Sequence, residues 1–130
     1  MKTIIKNARI VNEGTISKSD ILIKEDLIEE IGQNILPDGQ EKIIDAEGCF
    51  LIPGVIDDQV HFREPGFTHK GTIYSESKAA VAGGITSYFE MPNTNPQTTT
   101  ISRLKNKFEI AAKNSFSNYS FMFGGTNNNF

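Results

Sequence analysis

GVIDDQVHFREPG, residues 54–66, is the stretch on which the fold turns. GVIDDQV is short, rich in β-branched residues and bounded by Pro53 and Gly54, which suits a buried strand. The polar run HFREPG follows without a break. Side chains alternate along a strand, so Asp57, Gln59 and His61 are expected on one face, with Asp58 and Val60 on the other. In sheets built from βα units, functional groups gather where strands end at their carboxyl side. Gln59, His61 and Arg63 stand at such an end.

Downstream, the pattern reads strand, helix, strand, helix, strand. Thr72 to Ala82 is expected to be helical, with Ile73, Ser77, Ala80 and Val81 on one face and Gly83-Gly84 as its stop. ITSYFEM (85–91) is the next strand. TTTISRLKNKFEIAAKN (98–114) opens on a threonine cap and places Ile101, Leu104, Phe108 and Ala111 at helical spacing. NYSFMF (118–123) is a third strand and GGTNNNF (124–130) a polar loop. Short connections between alternating strands and helices are the mark of parallel βαβ units.

Upstream, residues 1–52 read as a small antiparallel β unit. TIIKNARIVN (3–12) is a strand, NEGT a turn, and DILIKEDLIEEIG (20–32) two short strands bending at Glu25 and Asp26. LPDGQ is a second turn cluster, and KIIDAEGCFLI (42–52) a final strand. The expected class is therefore α/β: a small amino-terminal β domain over 1–52, then the first βα units of a parallel structure over 53–130. Three parallel strands and two helices leave one sheet face without cover, whereas parallel sheets are normally buried on both sides. The expectation is that this is the first part of a longer protein.

Composition narrows the function class. The chain has 130 residues, 38% hydrophobic and 22% charged, with 11 Gly and 5 Pro, a globular profile. A net charge of −3 and a pI near 5.4, without any basic run, argue against nucleic-acid binding. The single cysteine, Cys49, has no partner for an internal disulfide and, within CFLIPG, is expected to be a buried small hydrophobe. MKTIIKNARIVN is too interrupted by charge for a signal peptide, and nothing approaches the ~18 unbroken apolar residues of a membrane helix. A cytoplasmic protein with no membrane partner is expected.

The polar residues admit two readings each. Two imidazoles at the spacing of residues 59 and 61 could chelate one zinc, but Gln59 offers a neutral amide oxygen, a poorer ligand than imidazole. His61 alone is either a ligand or an ordinary loop histidine. Arg63 can clamp a carboxylate through two parallel hydrogen bonds or pair with Glu64 at the surface. Asn93, in MPNTNPQ (91–97) at the end of the second parallel strand, offers both donor and acceptor, or belongs to a plain Asn-rich turn. His69 in FTHKG reads as a solvated loop residue.

Taken in order, DILIKEDLIEEIG, IIDAEGCFLIPGVIDDQVHFREPG and GGITSYFEMPNTNP resemble the amino-terminal third of a dihydroorotase of the amidohydrolase superfamily. The combination of HFREPG with MPNT is the specific part; PGVID alone would indicate only an amidohydrolase. The resemblance implies a small composite, urease-like β domain beside a metal-bearing (β/α)8 barrel, cut here after about three strands. It implies reversible opening of the cyclic amide of dihydroorotate to N-carbamoyl-aspartate in pyrimidine biosynthesis, with one or two zinc ions per full-length subunit. His61 matches the second histidine of the family's H-x-H pair and Gln59 replaces the first, which implies a weakened or single-metal site. Arg63 and Asn93 match the residues that hold the substrate carboxylate. The proton-transfer aspartate is expected beyond Phe130, so no catalytic residue is assigned within the chain and the fragment alone is expected to be inactive. Two alternatives stand beside this: a ligand-depleted, dihydroorotase-like structural partner of aspartate transcarbamoylase, and a related hydantoinase or allantoinase. Homo-oligomerisation is left open.

Overall fold

The structure is a computed structural model that describes residues 1–129. The chain divides into two compact units, Met1–Pro53 and Gly54–Phe130. In the first, β1 (Lys2–Asn12), β2 (Thr15–Lys24), β3 (Leu27–Gly32) and β4 (Lys42–Asp45) run in the order β3-β2-β1-β4, and the short β5 (Phe50–Leu51) also pairs with β1. The β1–β2 hairpin closes over Glu13 (φ 48°) and Gly14 (φ 73°). Two positive φ values in a two-residue loop give the turn whose twist matches that of the flanking strands.

The sheet is mixed rather than antiparallel. β4 and β5 lie parallel to β1. Residues 33–41 carry the chain from β3 at one edge to the far side of β1, and a parallel neighbour needs such a crossover. The run 42–52 is also two strands instead of one, broken at Gly48 (φ 79°), where Cys49 N–H donates to the Ala46 carbonyl at 2.9 Å. Cys49 is exposed, contrary to the apolar reading of CFLIPG. Its carbonyl accepts from Arg9 N–H, but it sits in this turn, ahead of a two-residue strand whose Phe50 is itself exposed, with the Arg9 guanidinium over its ring at 4.1 Å.

A bulge in β1 organises this unit. Ile5 pairs with Ile21 and Ala8 with Ser19, so Lys6 and Asn7 face Asp20 alone, and Asn7 takes φ 58°. Asp20 is buried and accepts from Asn7 N–H (2.8 Å), Ile35 N–H (3.0 Å) and the Lys6 ammonium (2.6 Å). Burial alone would raise its pKa. Lys6 and the two N–H groups outweigh that and hold the carboxyl below its usual value.

In the second unit β6 (Val55–Val60), β7 (Ile85–Glu90) and β8 (Asn118–Phe121) form a parallel sheet in that order. Helix α1 (Ile73–Ala82) links the first two strands and α2 (Ile101–Asn114) the second two. Thr72 caps α1 in a reciprocal capping box with Ser75, and Thr100 caps α2 through Arg103 N–H. The core is Phe62, Ile73, Tyr88, Ala111 and Phe121. Burial pushes the Tyr88 phenol up to about 12, and its hydroxyl donates to Ser115 Oγ.

Two helix faces differ from their expected composition. On α1, Ile73 and Ser77 are buried but Val81 is exposed. On α2 the buried residues are Lys107 and Ala111, flanked by half-buried Leu104 and Ile110, while Ile101 is exposed. Phe108 sits off this stripe and is partly exposed, its ring T-shaped to Phe121 at 4.9 Å and 88° and tilted to Tyr119 at 6.0 Å. The opposite sheet face carries Ile56 and Met122, both exposed. Among the described residues no helix is long and apolar enough to cross a membrane.

Candidate active site

The strand ahead of HFREPG does not alternate simply. Asp57 pairs with Tyr88 and Val60 with Glu90, so Asp58 and Gln59 together face Phe89. This extra residue separates Asp57 from the face of Gln59 and His61, correcting the expected three-residue face. Beyond it, Val60 and Phe62 turn to the helix-covered core, whereas Gln59 and His61 are exposed. Asp57 instead accepts the Gln59 N–H at 3.2 Å.

Two loops meet at the carboxyl ends of β6 and β7. His61 Nδ1 lies 3.0 Å from Asn93 Oδ1. Asn95 N–H donates to the Pro65 carbonyl at 3.0 Å. Gly66 (φ 93°) lies so close to Asn95 that a Cβ there would collide with the Asn95 carbonyl oxygen and Cβ. Both the conformation and the space demand glycine. The loops are thus pinned together by backbone, and His61 and Asn93 come together as a result.

The pairing of His61 with Asn93 fixes what each has left. An amide oxygen accepts, so Nδ1 is the donor, and in the neutral imidazole Nε2 then carries the lone pair. That is the state in which a histidine ligates a metal, its other nitrogen hydrogen-bonded to a carbonyl-type oxygen. Asn93, its oxygen engaged, presents its NH₂ as a donor. Arg63 adopts φ 72°, unusual for a non-glycine residue, and its N–H donates to Glu90 Oε1 at 3.1 Å. Among the described residues its guanidinium takes part in no ion pair, with Glu64 or any other acid. Glu64 accepts the first N–H of α1, from Ile73, at 2.7 Å, where the helix terminus favours an anion. His69 is exposed, its ring edge-on to Phe67.

Under these loops lies a buried ion pair that the sequence reading missed. Lys107 Nζ is 2.8 Å from Glu90 Oε2, and each side chain is only 1% exposed. The contact is an ion pair poorly aligned for a hydrogen bond, and Oε2 has no other partner. Lys107 also donates to the Met91 carbonyl at 3.2 Å and lies over the Phe121 ring at 4.7 Å. Burial raises the Glu90 pKa and lowers that of Lys107; their mutual attraction opposes both shifts. A signal was available: Glu90 follows Tyr88 at strand period, and Lys107 falls between Leu104 and Ala111 at helix period. An acid and a base on two inward faces call for each other.

A family model described as Dihydro-orotase-like matches residues 48–122, more than half of the chain. The chain belongs to the dihydroorotase-like family. Similar proteins include the dihydroorotase of Carboxydothermus hydrogenoformans, 51% identical over 98 residues that cover 74% of this chain and 23% of that one. The dihydroorotase of Methanosarcina acetivorans is 40% identical over 124 residues, 95% of this chain and 27% of that one. Among solved structures, an L-hydantoinase (dihydropyrimidinase) from Arthrobacter aurescens superposes with a TM-score of 0.91 at 32% identity, over 98% of this chain and 28% of that one. A D-hydantoinase from a Thermus species gives 0.80 at 32% identity, over 93% and 27%. This dihydroorotase-like chain spans about a quarter of the curated relatives it matches. The family match and these neighbours agree with the α/β fold of the chain.

The metal donors of the dihydroorotase-like chain are few. Among the described residues no three His, Cys, Asp or Glu side chains converge as a metal site requires. His61 Nε2 fits a ligand's role, and Gln59 offers at most a neutral oxygen beside it. A tetrahedral zinc would need at least two further ligands.

Proposed function

We propose that the chain forms the opening barrel strands and one side of the active site of a zinc-dependent dihydroorotase, which opens dihydroorotate to N-carbamoyl-aspartate in pyrimidine biosynthesis. One observation carries the reading: the 3.0 Å His61–Asn93 contact, which leaves the other imidazole nitrogen available to a metal and the amide NH₂ available to an anion. Arg63 binds the substrate carboxylate through its unpaired guanidinium, and Asn93 NH₂ donates to the same group. Together they orient the ring and favour an acidic substrate over a neutral one. Residues 1–52 form the composite β domain, and the proton-transfer aspartate lies beyond Phe130.

Zinc, held by His61 with Gln59 as a weak neighbour and further ligands from outside residues 1–130, would supply a hydroxide at neutral pH and polarise the ring carbonyl. Dihydroorotate hydrolysis by the complete gene product, metal-depleted and then zinc-supplemented, tests the reading. Turnover restored by zinc is expected; no turnover in either condition overturns it.

Gln59 favours a second reading, a dihydroorotase-like structural partner of aspartate transcarbamoylase without its own turnover. Co-purification of the two proteins, with no hydrolysis at any zinc concentration, would establish it. The hydantoinase neighbours suggest a third, which orotate separates: it competes at a site built for a carboxylate and not at one built for a neutral ring.

A further inference from the structure

We propose that the buried Glu90–Lys107 pair is a positioning device that sets both sides of the carboxylate-binding site. Glu90 Oε1 accepts the Arg63 N–H at 3.1 Å and so holds Arg63 at φ 72°. Lys107 contacts Oε2 of the same carboxylate at 2.8 Å and the Met91 carbonyl at 3.2 Å. Met91 leads into Asn93, and its own N–H donates to the Val60 carbonyl, immediately before His61. One ammonium therefore ties the loop bearing Arg63 to the loop bearing Asn93.

Stability alone is a weak reason for such a pair. Both side chains are 1% exposed, and two charges withdrawn from water are repaid by attraction only with good geometry and further hydrogen bonds. Here Oε2 has no partner besides the Lys107 ammonium. A pair of apolar side chains would fill the space between α2 and the sheet at least as stably. What they could not do is accept the Arg63 N–H. A left-handed arginine is an uphill conformation, held only where its surroundings fix it. The inward-facing Glu90 carboxylate is the acceptor that does so.

The substrate side of this inference rests on the proposed dihydroorotase reading; the placement of Arg63 does not. Two charge-neutral double variants of the complete gene product separate the roles. Glu90→Gln/Lys107→Met keeps an oxygen able to accept from Arg63; Glu90→Leu/Lys107→Met does not. Amide hydrogen exchange at Arg63 is read first. In the native protein Arg63 is expected to be protected although it lies outside any helix or strand. The glutamine variant should keep that protection, and the leucine variant should lose at least about tenfold, the worth of one charge-assisted hydrogen bond. Orotate affinity should fall by a similar factor in the leucine variant while its thermal midpoint holds.

Equal protection in both variants overturns the proposal, as does equal loss in both. Should the leucine variant fail to fold, the native protein still decides: an unprotected Arg63 amide refutes the device. If native Arg63 is protected as expected but orotate does not bind, the substrate reading fails and the positioning stands.

Discussion

Lys107→Met is the sharpest single test of how this unit is built. Methionine matches the length of the lysine stem and removes the ammonium with its hydrogen bond to the Met91 carbonyl, so the packing around Leu104, Ala111 and Phe121 should survive. Glu90 is then left buried, with Oε2 facing a thioether. Breaking a buried pair from one side costs about 3–5 kcal/mol, because the remaining charge has neither water nor partner. Both side chains are 1% exposed, which places the loss in that range. The pH dependence gives the mechanism away. Burial already raises the Glu90 pKa, and loss of the ammonium raises it further. An acid whose folded pKa lies above its unfolded value, ~4.3, stabilises fully below the unfolded value and loses that contribution as pH rises through the folded one. The variant's deficit should therefore be small near pH 4 and larger at pH 8. Urea unfolding followed by far-ultraviolet circular dichroism at both pH values measures it. A deficit below about 1 kcal/mol at pH 8, or one independent of pH, would refute the claim that Glu90 is buried and dependent on Lys107.

Gly66→Ala should destabilise the second unit by about 2–4 kcal/mol, from the left-handed backbone together with the clash against Asn95; a thermal midpoint unchanged within error would show that the two loops do not abut. Glu13→Asn should stabilise the first unit by about 0.5 kcal/mol, because asparagine tolerates the φ of 48° better than glutamate, as read by the shift in urea midpoint. Gln59→His in the complete gene product should raise zinc affinity by at least about tenfold in competition with a chelator; an unchanged affinity would mean that position 59 does not face the metal. Asp20→Asn should destabilise the first unit by about 1–3 kcal/mol at pH 7. The native carboxyl has a depressed pKa, so its contribution is present above the unfolded value near ~3.9, and the difference should shrink as pH falls below it.

The features legible in the sequence are those that a local rule determines. The threonine run ending at Thr100 announces its helix because a hydroxyl must satisfy the N–H groups of the first turn. The order of β6, β7 and β8 follows from short connections. What escaped depends on partners far away in the chain. Strict alternation put Asp57 beside Gln59 and His61, and the extra residue in β6 becomes visible only against β7. The parallel pairing of β4 needed knowledge of which side of β1 the crossover would take. Gly66 read as a turn glycine; that it also makes room for Asn95 is a contact across the two loops.

The composition of the α2 stripe is the most instructive failure. Periodicity scored hydrophobic residues, so it chose Phe108 and Ile101 and passed over Lys107. A hydropathy pattern cannot represent a buried charge, because such a charge becomes tolerable only when its counter-charge, here seventeen residues away on β7, arrives in the fold. The same blindness explains why the site itself was half legible. His61, Arg63 and Asn93 could be proposed from the loops that carry them together with the family resemblance. The support beneath Arg63 could not, since Glu90 and Lys107 look individually like solvent-facing residues. A sequence search for such supports would seek an acid at an inward strand position and a base at an inward position of the following helix. That search is independent of hydrophobicity, and here it leads directly to the pair.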